Sequence, residues 1–146
     1  CEAMAGSSSP LYNRLYEQGM IDSSFYCGYI DYPGCAFLMA GGETKDPEGV
    51  RDAILAEGAR IAKEGIDEAL FQRLKKAAYG AYVRGLNSFE NLCVEQAQGY
   101  FSNQDPWTFP EIYDSLTRQD AEDFIRAWVK PEQTSLIVIR PGEADQ

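Results

Sequence analysis

SSSPLYNRLYEQGMIDSSFYCGYIDYPGCAFLMAGGETKDPE, residues 7–48, holds the signals that decide the fold. Ser7–Ser9 precede Pro10. A serine side chain caps free N–H groups, and proline at the first helical position gives up an N–H that would have no partner. Leu11, Leu15 and Tyr12 form an apolar stripe, and Gly19 is the natural left-handed stop. From Ser23 the period changes. In SSFYCGYI (23–30), Phe25, Cys27 and Tyr29 alternate with Tyr26, Gly28 and Ile30, the two-residue repeat of a strand. DYPG (31–34) is a turn and CAFLMAGG (35–42) a second strand, so this stretch predicts a helix followed by an antiparallel hairpin. Asp46-Pro47-Glu48 then repeats the cap-and-proline signature.

The helix opened there runs to about Glu64, with Val50, Ile54 and Ile61 on one face and Gly65 at its end. Ile66-Asp67-Glu68 starts the longest helix, where Leu70, Leu74, Ala77, Ala78 and Ala81 recur at helical spacing. The pattern breaks around Gly85–Ser88 and resumes from Phe89 to Phe101. NQDPWTFP (103–110) is a loop by its prolines and polar residues. Thr117-Arg-Gln-Asp120 resembles a capping box with Asp in place of the usual Glu. Behind it Ala121, Phe124, Ile125 and Trp128 share a face, and Pro131 halts the helix. TSLIVIR (134–140) is a continuous apolar run rich in β-branched residues, which predicts a central strand rather than an edge one. The order implies an α+β fold, a mostly antiparallel sheet with helices packed on one face. Three strands make a small sheet. Further strands are therefore expected ahead of Cys1, and residues 1–146 are expected to be one domain, the C-terminal fragment of a longer chain.

Composition excludes several functions. The chain has 13 basic and 23 acidic residues, a net charge of −10. A nucleic-acid binder needs a basic surface to displace counterions from phosphates, so no nucleic-acid partner is expected. No apolar run approaches the ~18–20 residues that cross a bilayer, so no membrane association is expected either. Four cysteines show no CxxC spacing. Cys27 and Cys35 lie in adjacent strand patterns and leave a cross-strand disulfide open. Free thiols and a cytoplasmic location are the expectation. Histidine is absent altogether. That removes Ser–His and Cys–His nucleophiles, imidazole acid–base chemistry and every histidine-containing zinc site, so no metal and no cofactor are expected in this chain.

Individual candidates have ordinary readings beside functional ones. Glu90, Glu95 and Gln96 could serve acid–base work, but acidic residues on an amphipathic helix are usually its solvated face. Tyr79, Tyr82 and Tyr100 could line a peptide groove, although tyrosine is a common core-edge residue. Arg14 could clamp a carboxylate, yet an arginine near a helix end also answers the helix dipole. GAYVRGL is no phosphate loop, because no strand precedes it and no GK[ST] follows. No catalytic residue is assigned.

The run SSSPLYNRLYEQGMIDSSF, the hairpin ending in GGETKDPE, the helix DEALFQRLKKAAYGAYVRGLNSFENL, the T-x-x-D helix start and the final apolar strand resemble, in that order, the C-terminal half of insulinase/pitrilysin-type zinc peptidases. The bacterial members similar to mitochondrial processing peptidase look closest. The resemblance implies one half of a clamshell, with zinc held elsewhere by an inverted H-x-x-E-H helix in the N-terminal half. Active members of the family place an Arg and a Tyr in a pattern like R-E-K-R-G-L-A-Y. Here LYEQGMIDSS puts Tyr16 at the Arg position and Asp22 near the Tyr position, one residue short. Shifting the frame to Arg14 leaves Ile21 there instead. The implied role is non-catalytic: a wall of the peptide chamber, with Arg14 and Tyr16 as substrate-binding candidates. Implied partners are the chain's own N-terminal domain, a related subunit in a hetero- or homodimer, and an unfolded peptide. The alternative is a catalytically dead scaffold or peptide-binding subunit.

Overall fold

A computed structural model of the protein describes residues 1–32 and 34–140. The fold is α+β, built mainly from helices around one antiparallel hairpin. In chain order it comprises α1 (Glu2–Ala5), α2 (Pro10–Glu17), β1 (Tyr26–Tyr32), β2 (Cys35–Gly41), α3 (Pro47–Glu64), α4 (Glu68–Gly85), α5 (Phe89–Ser102), α6 (Phe109–Ser115) and α7 (Arg118–Trp128). Short 3-10 turns occupy Pro106–Thr108 and Pro131–Gln133.

The helix boundaries follow local chemistry. Ser9 is fully buried, and its Oγ accepts the Tyr12 N–H at 3.1 Å, so α2 begins with a capped donor beneath Pro10. The helix ends in a Schellman turn: the Met20 N–H reaches the Leu15 carbonyl, the Gly19 N–H reaches that of Tyr16, and Gly19 takes φ +65°. Asp46 and Asp67 cap α3 and α4 through the N–H groups of Gly49 and Leu70. Thr117 and Asp120 form a reciprocal capping box that starts α7.

In the hairpin, Tyr26 lies opposite Gly41 and Tyr32 opposite Cys35. The described residues contain this two-stranded sheet only. TSLIVIR, expected as a central strand, is not one: residues 134–140 are exposed and pair with no strand among the described residues. The run has strand composition but no neighbouring strand to hydrogen-bond with. The loop expected at 103–110 is also shorter than its prolines suggested. Pro106 and Pro110 occupy the first turns of a 3-10 turn and of α6, where a missing N–H is harmless. Pro33, inside the expected DYPG turn, lies outside the described residues, as does 141–146.

Two apolar clusters meet at Ile54. Ala5, Leu11, Leu15, Ile21 and Val50 join α1, α2 and the start of α3 beneath the hairpin. Met4, Ile61, Ile66, Leu70, Phe71 and Ile125 join α1, α3, α4 and α7. The predicted stripe on α4 is only half used: Leu70 and Leu74 pack inward, while Ala77, Ala78 and Ala81 stay exposed.

The α3–α4 junction is pinned from α7. Glu122, 6 % exposed, accepts the Ile66 N–H at 2.9 Å and pairs with Arg118 at 3.3 Å, and Arg118 donates to the Ile66 carbonyl. The chain passes under this carboxylate at Gly65, with φ +83° and ψ −180°, a region essentially reserved for glycine. A β-carbon there would lie 2.8 Å from Glu122 Oε1. Backbone strain and contact act in the same direction, so Gly65→Ala is expected to destabilise the protein by about 1–3 kcal/mol. Urea unfolding with a shift below about 0.5 kcal/mol would contradict this account of the junction.

Candidate functional site

The corner between α2 and β1 is where the sequence pattern of active relatives would place chemistry, and here it is built as a joint. Asp22 Oδ1 accepts the Ser24 N–H at 2.8 Å and the Ser24 hydroxyl at 2.5 Å. Ser24 Oγ in turn accepts the Glu43 N–H at 3.0 Å, across to the far end of β2. Next to it the Thr44 hydroxyl donates to the Met20 carbonyl at 2.6 Å, and Thr44 Oγ1 accepts the Asp46 N–H. Two side chains thus close the base of the hairpin onto the end of α2 and the start of α3. These hydrogen bonds from Ser24 hold the Asp22 carboxyl below its ordinary value, so it is anionic over the whole neutral range. A fixed negative charge would oppose a developing oxyanion rather than stabilise it.

Ile21, the alternative occupant of the Tyr position, is 4 % exposed and part of the core. Arg14 and Tyr16 stand two residues apart, which is about 200° around a helix, so they do not share a face. Arg14 borders a hollow of ≈ 270 Å³ shared with Glu57, Arg60 and Asp67. Tyr16 is half exposed and stacks on Tyr12, ring centroids 6.0 Å apart and 10° from parallel.

The other candidates take ordinary places. Glu90, Glu95 and Gln96 are exposed on α5. Tyr79 and Tyr82 pack α4 against α6, Tyr82 stacking on Phe109 at 4.3 Å and Tyr79 meeting Tyr113 at 4.9 Å. Lys75 covers the Tyr113 ring and donates to the Leu116 carbonyl. Tyr100 stays outside this cluster and is exposed beside Phe101. All four cysteines are free thiols. Burial pushes the Cys27 thiol up, the opposite of activation.

A feature that the sequence did not reveal is a cavity of ≈ 1010 Å³ behind the hairpin. Its walls include Cys27, Tyr29 and Leu38 from the hairpin, Ile54 of α3, Phe124 of α7 and Leu136 from the final extended run. Tyr29 and Phe124 meet edge to face across 6.4 Å. The signal for it was the apolar TSLIVIR run, whose lack of a partner strand no local pattern discloses.

This chain does not fit a zinc ion. It has no imidazole, and among the described residues no three Cys, Asp or Glu side chains gather around one point. No helix among them is long and apolar enough to cross a membrane.

Residues 1–78 match the model for the Peptidase M16 inactive domain, and the chain belongs to that family. It is similar to a protein of Bacillus subtilis (strain 168) named "Uncharacterized zinc protease YmfH", 26 % identical over 144 residues, covering 96 % of this chain and 32 % of that one. Its fold matches an M16-like peptidase from Alicyclobacillus acidocaldarius with a TM-score of 0.76 and 23 % identity, covering 86 % of this chain and 30 % of the other. The chain thus spans about a third of the length of each.

Because the Asp22 carboxyl is depressed in the folded state, its contribution is present above the ordinary carboxylate range and is lost as pH falls through the lowered value. NMR titration is expected to place Asp22 below the ordinary carboxylate value, with Ser24→Ala moving it upward. A titration at or above the ordinary value in the unsubstituted protein would mean that the Ser24 hydrogen bonds do not form in solution.

Proposed function

We propose that this chain is the metal-free portion of an M16-type zinc protease and forms one wall of a chamber that holds an extended peptide. Zinc and the water-activating glutamate would reside in an N-terminal half of the same polypeptide or in a related partner subunit, as a heterodimer or homodimer. The observation that carries this reading is the α2–β1 corner. It keeps a helix–turn–strand frame, yet the position of the family's Tyr falls on a hydrogen-bonded Asp22 in the register that starts at Tyr16 and on a core Ile21 in the register that starts at Arg14. Such a corner can shape a chamber but cannot polarise a peptide carbonyl.

Within that chamber the resemblance assigns Arg14 and Tyr16 to the peptide. The exposed Tyr16 ring, held flat against Tyr12, offers a rigid apolar face at little entropic cost. Arg14 would act separately, from its own side of α2.

The parent protein is expected to cleave unfolded peptides in a zinc-dependent manner, with chelation abolishing turnover. In that protein Tyr16→Ala is expected to raise KM about 3- to 10-fold while kcat changes less than about 2-fold, the signature of lost uniform binding. A chelator-insensitive parent activity would remove the zinc-protease reading. An effect confined to kcat would remove Tyr16 as a binding residue.

A further inference from the structure

Helix α5 carries an inference that stands apart from proteolysis. Phe89, Cys93, Ala97 and Tyr100 recur every three or four residues, with Phe101 beside the last. At about 100° per residue they fall within about a third of the helix circumference. Such a stripe ordinarily faces a core, yet here it is the outward side. Phe89, Tyr100 and Phe101 are 82, 83 and 82 % exposed, and Cys93 and Ala97 are exposed as well. The side of α5 that meets the protein is that of Gly99, where a β-carbon would lie 2.8 Å from Pro106 Cδ. Trp107 and Ile112, just beyond that turn, are also more than half exposed.

The same stretch is one-sided in charge. From Gly85 to Thr117 the chain has no lysine or arginine and five carboxylates, Glu90, Glu95, Asp105, Glu111 and Asp114. All five are exposed, and none pairs with a base among the described residues. Glu90 is the one charge that falls on the arc of the stripe itself. Exposed aromatic rings with a polar surround have the make-up of an interface. A second copy would set these carboxylates against their own kind, which opposes association, and an anionic lipid surface is opposed for the same reason. Upstream polypeptide enters through α1, which packs on α2, α3, α4 and β1. What complements the surface is a separate polypeptide, apolar at its centre and basic around it.

We propose that the outward stripe of α5 is a docking surface for a partner polypeptide that presents an amphipathic helix, with an apolar stripe flanked by lysine or arginine. The partner's stripe lies on Phe89, Tyr100 and Phe101, and one of its cations meets Glu90. The rigid aromatic rings supply most of the affinity. The remaining carboxylates attract the basic partner from a distance and fix its orientation.

The test uses the full-length parent protein and two synthetic helices of about 18 residues, one of leucine and lysine, the other of leucine and glutamate in the same pattern. The leucine–lysine helix is expected to bind, more weakly as salt rises, and the leucine–glutamate helix is not. Phe89→Ser together with Tyr100→Ser should weaken binding more than about 10-fold. Glu90→Gln should weaken it about 3-fold and flatten the salt dependence. All three side chains are exposed, so circular dichroism should not change. With no peptide present, Cys93 is expected to alkylate as fast as a free thiol, and the bound leucine–lysine helix to slow it about 10-fold. The proposal is overturned if Cys93 is shielded in the monomeric parent protein alone, which would put its own chain on the stripe. It is equally overturned by a parent homodimer that Phe89→Ser dissociates. Failure of the leucine–lysine helix to bind, or binding that the Phe89 and Tyr100 substitutions leave unchanged, also overturns it. None of these readouts involves turnover, so a parent protein without protease activity leaves the test intact.

Discussion

The β1–β2 hairpin has seven residues in each strand, and two strands of that length are marginal in water without a helix or further strands behind them. Most of this molecule serves that constraint. The base of the hairpin is tied by Ser24 and Thr44 to the end of α2 and the start of α3. Its inner face reaches Tyr12 through Phe25 and Phe124 through Tyr29. Both contacts depend in turn on where α2 and α7 sit, and α7 is held by the buried Glu122–Ile66 hydrogen bond. A buried carboxylate on α7 thus helps to position the hairpin. Its desolvation is offset by one backbone N–H and one guanidinium, the condition under which a buried charge is tolerated.

Elements whose signals are local were legible in the sequence. Ser9-Pro10, Asp46-Pro47 and Thr117-x-x-Asp120 each start a helix because the capping atom and the free N–H, with the proline ring in the first two, all lie within one turn. The Gly19 stop and the strand alternation at 25–30 are of the same kind. What escaped was set by partners distant in sequence or absent from it. TSLIVIR has the composition of a central strand, but strand pairing is a property of two segments, and the second is not among the described residues. The C-terminal half of α4 shows the same effect: α6 packs on its tyrosine side, while the regular stripe of Ala77, Ala78 and Ala81 stays exposed among the described residues. At Phe109-Pro110 the error had another source. Proline marks a break inside a helix and a beginning at its first turn, and sequence spacing alone does not separate the two.

The site was legible mainly as a deficit. Absence of imidazole is visible at once and limits the chemistry this chain can carry. The work Asp22 does instead was not visible. Its spacing to Ser24 is the ordinary one of an Asx turn, and only the structure shows the same hydroxyl receiving the Glu43 N–H from the hairpin's far end. Arg14 and Tyr16 were grouped by sequence proximity, and helix geometry separates them by more than half a turn.

A corner freed from catalysis can be rigid. Catalytic residues commonly sit in strained or incompletely satisfied environments, because pre-organised charge is part of their function. Around Asp22 the opposite holds: one side-chain oxygen of each of Asp22, Ser24 and Thr44 accepts a backbone N–H, from Ser24, Glu43 and Asp46 respectively. Satisfying those groups locally closes the corner. Among the described residues, main-chain groups without a strand partner lie along the outer edge of β2 and along 135–140. These are main-chain groups, which recognise another backbone rather than a particular side chain. The distribution of hydrogen bonds therefore separates a closed corner, which fixes shape, from an edge of main-chain groups without a strand partner among the described residues.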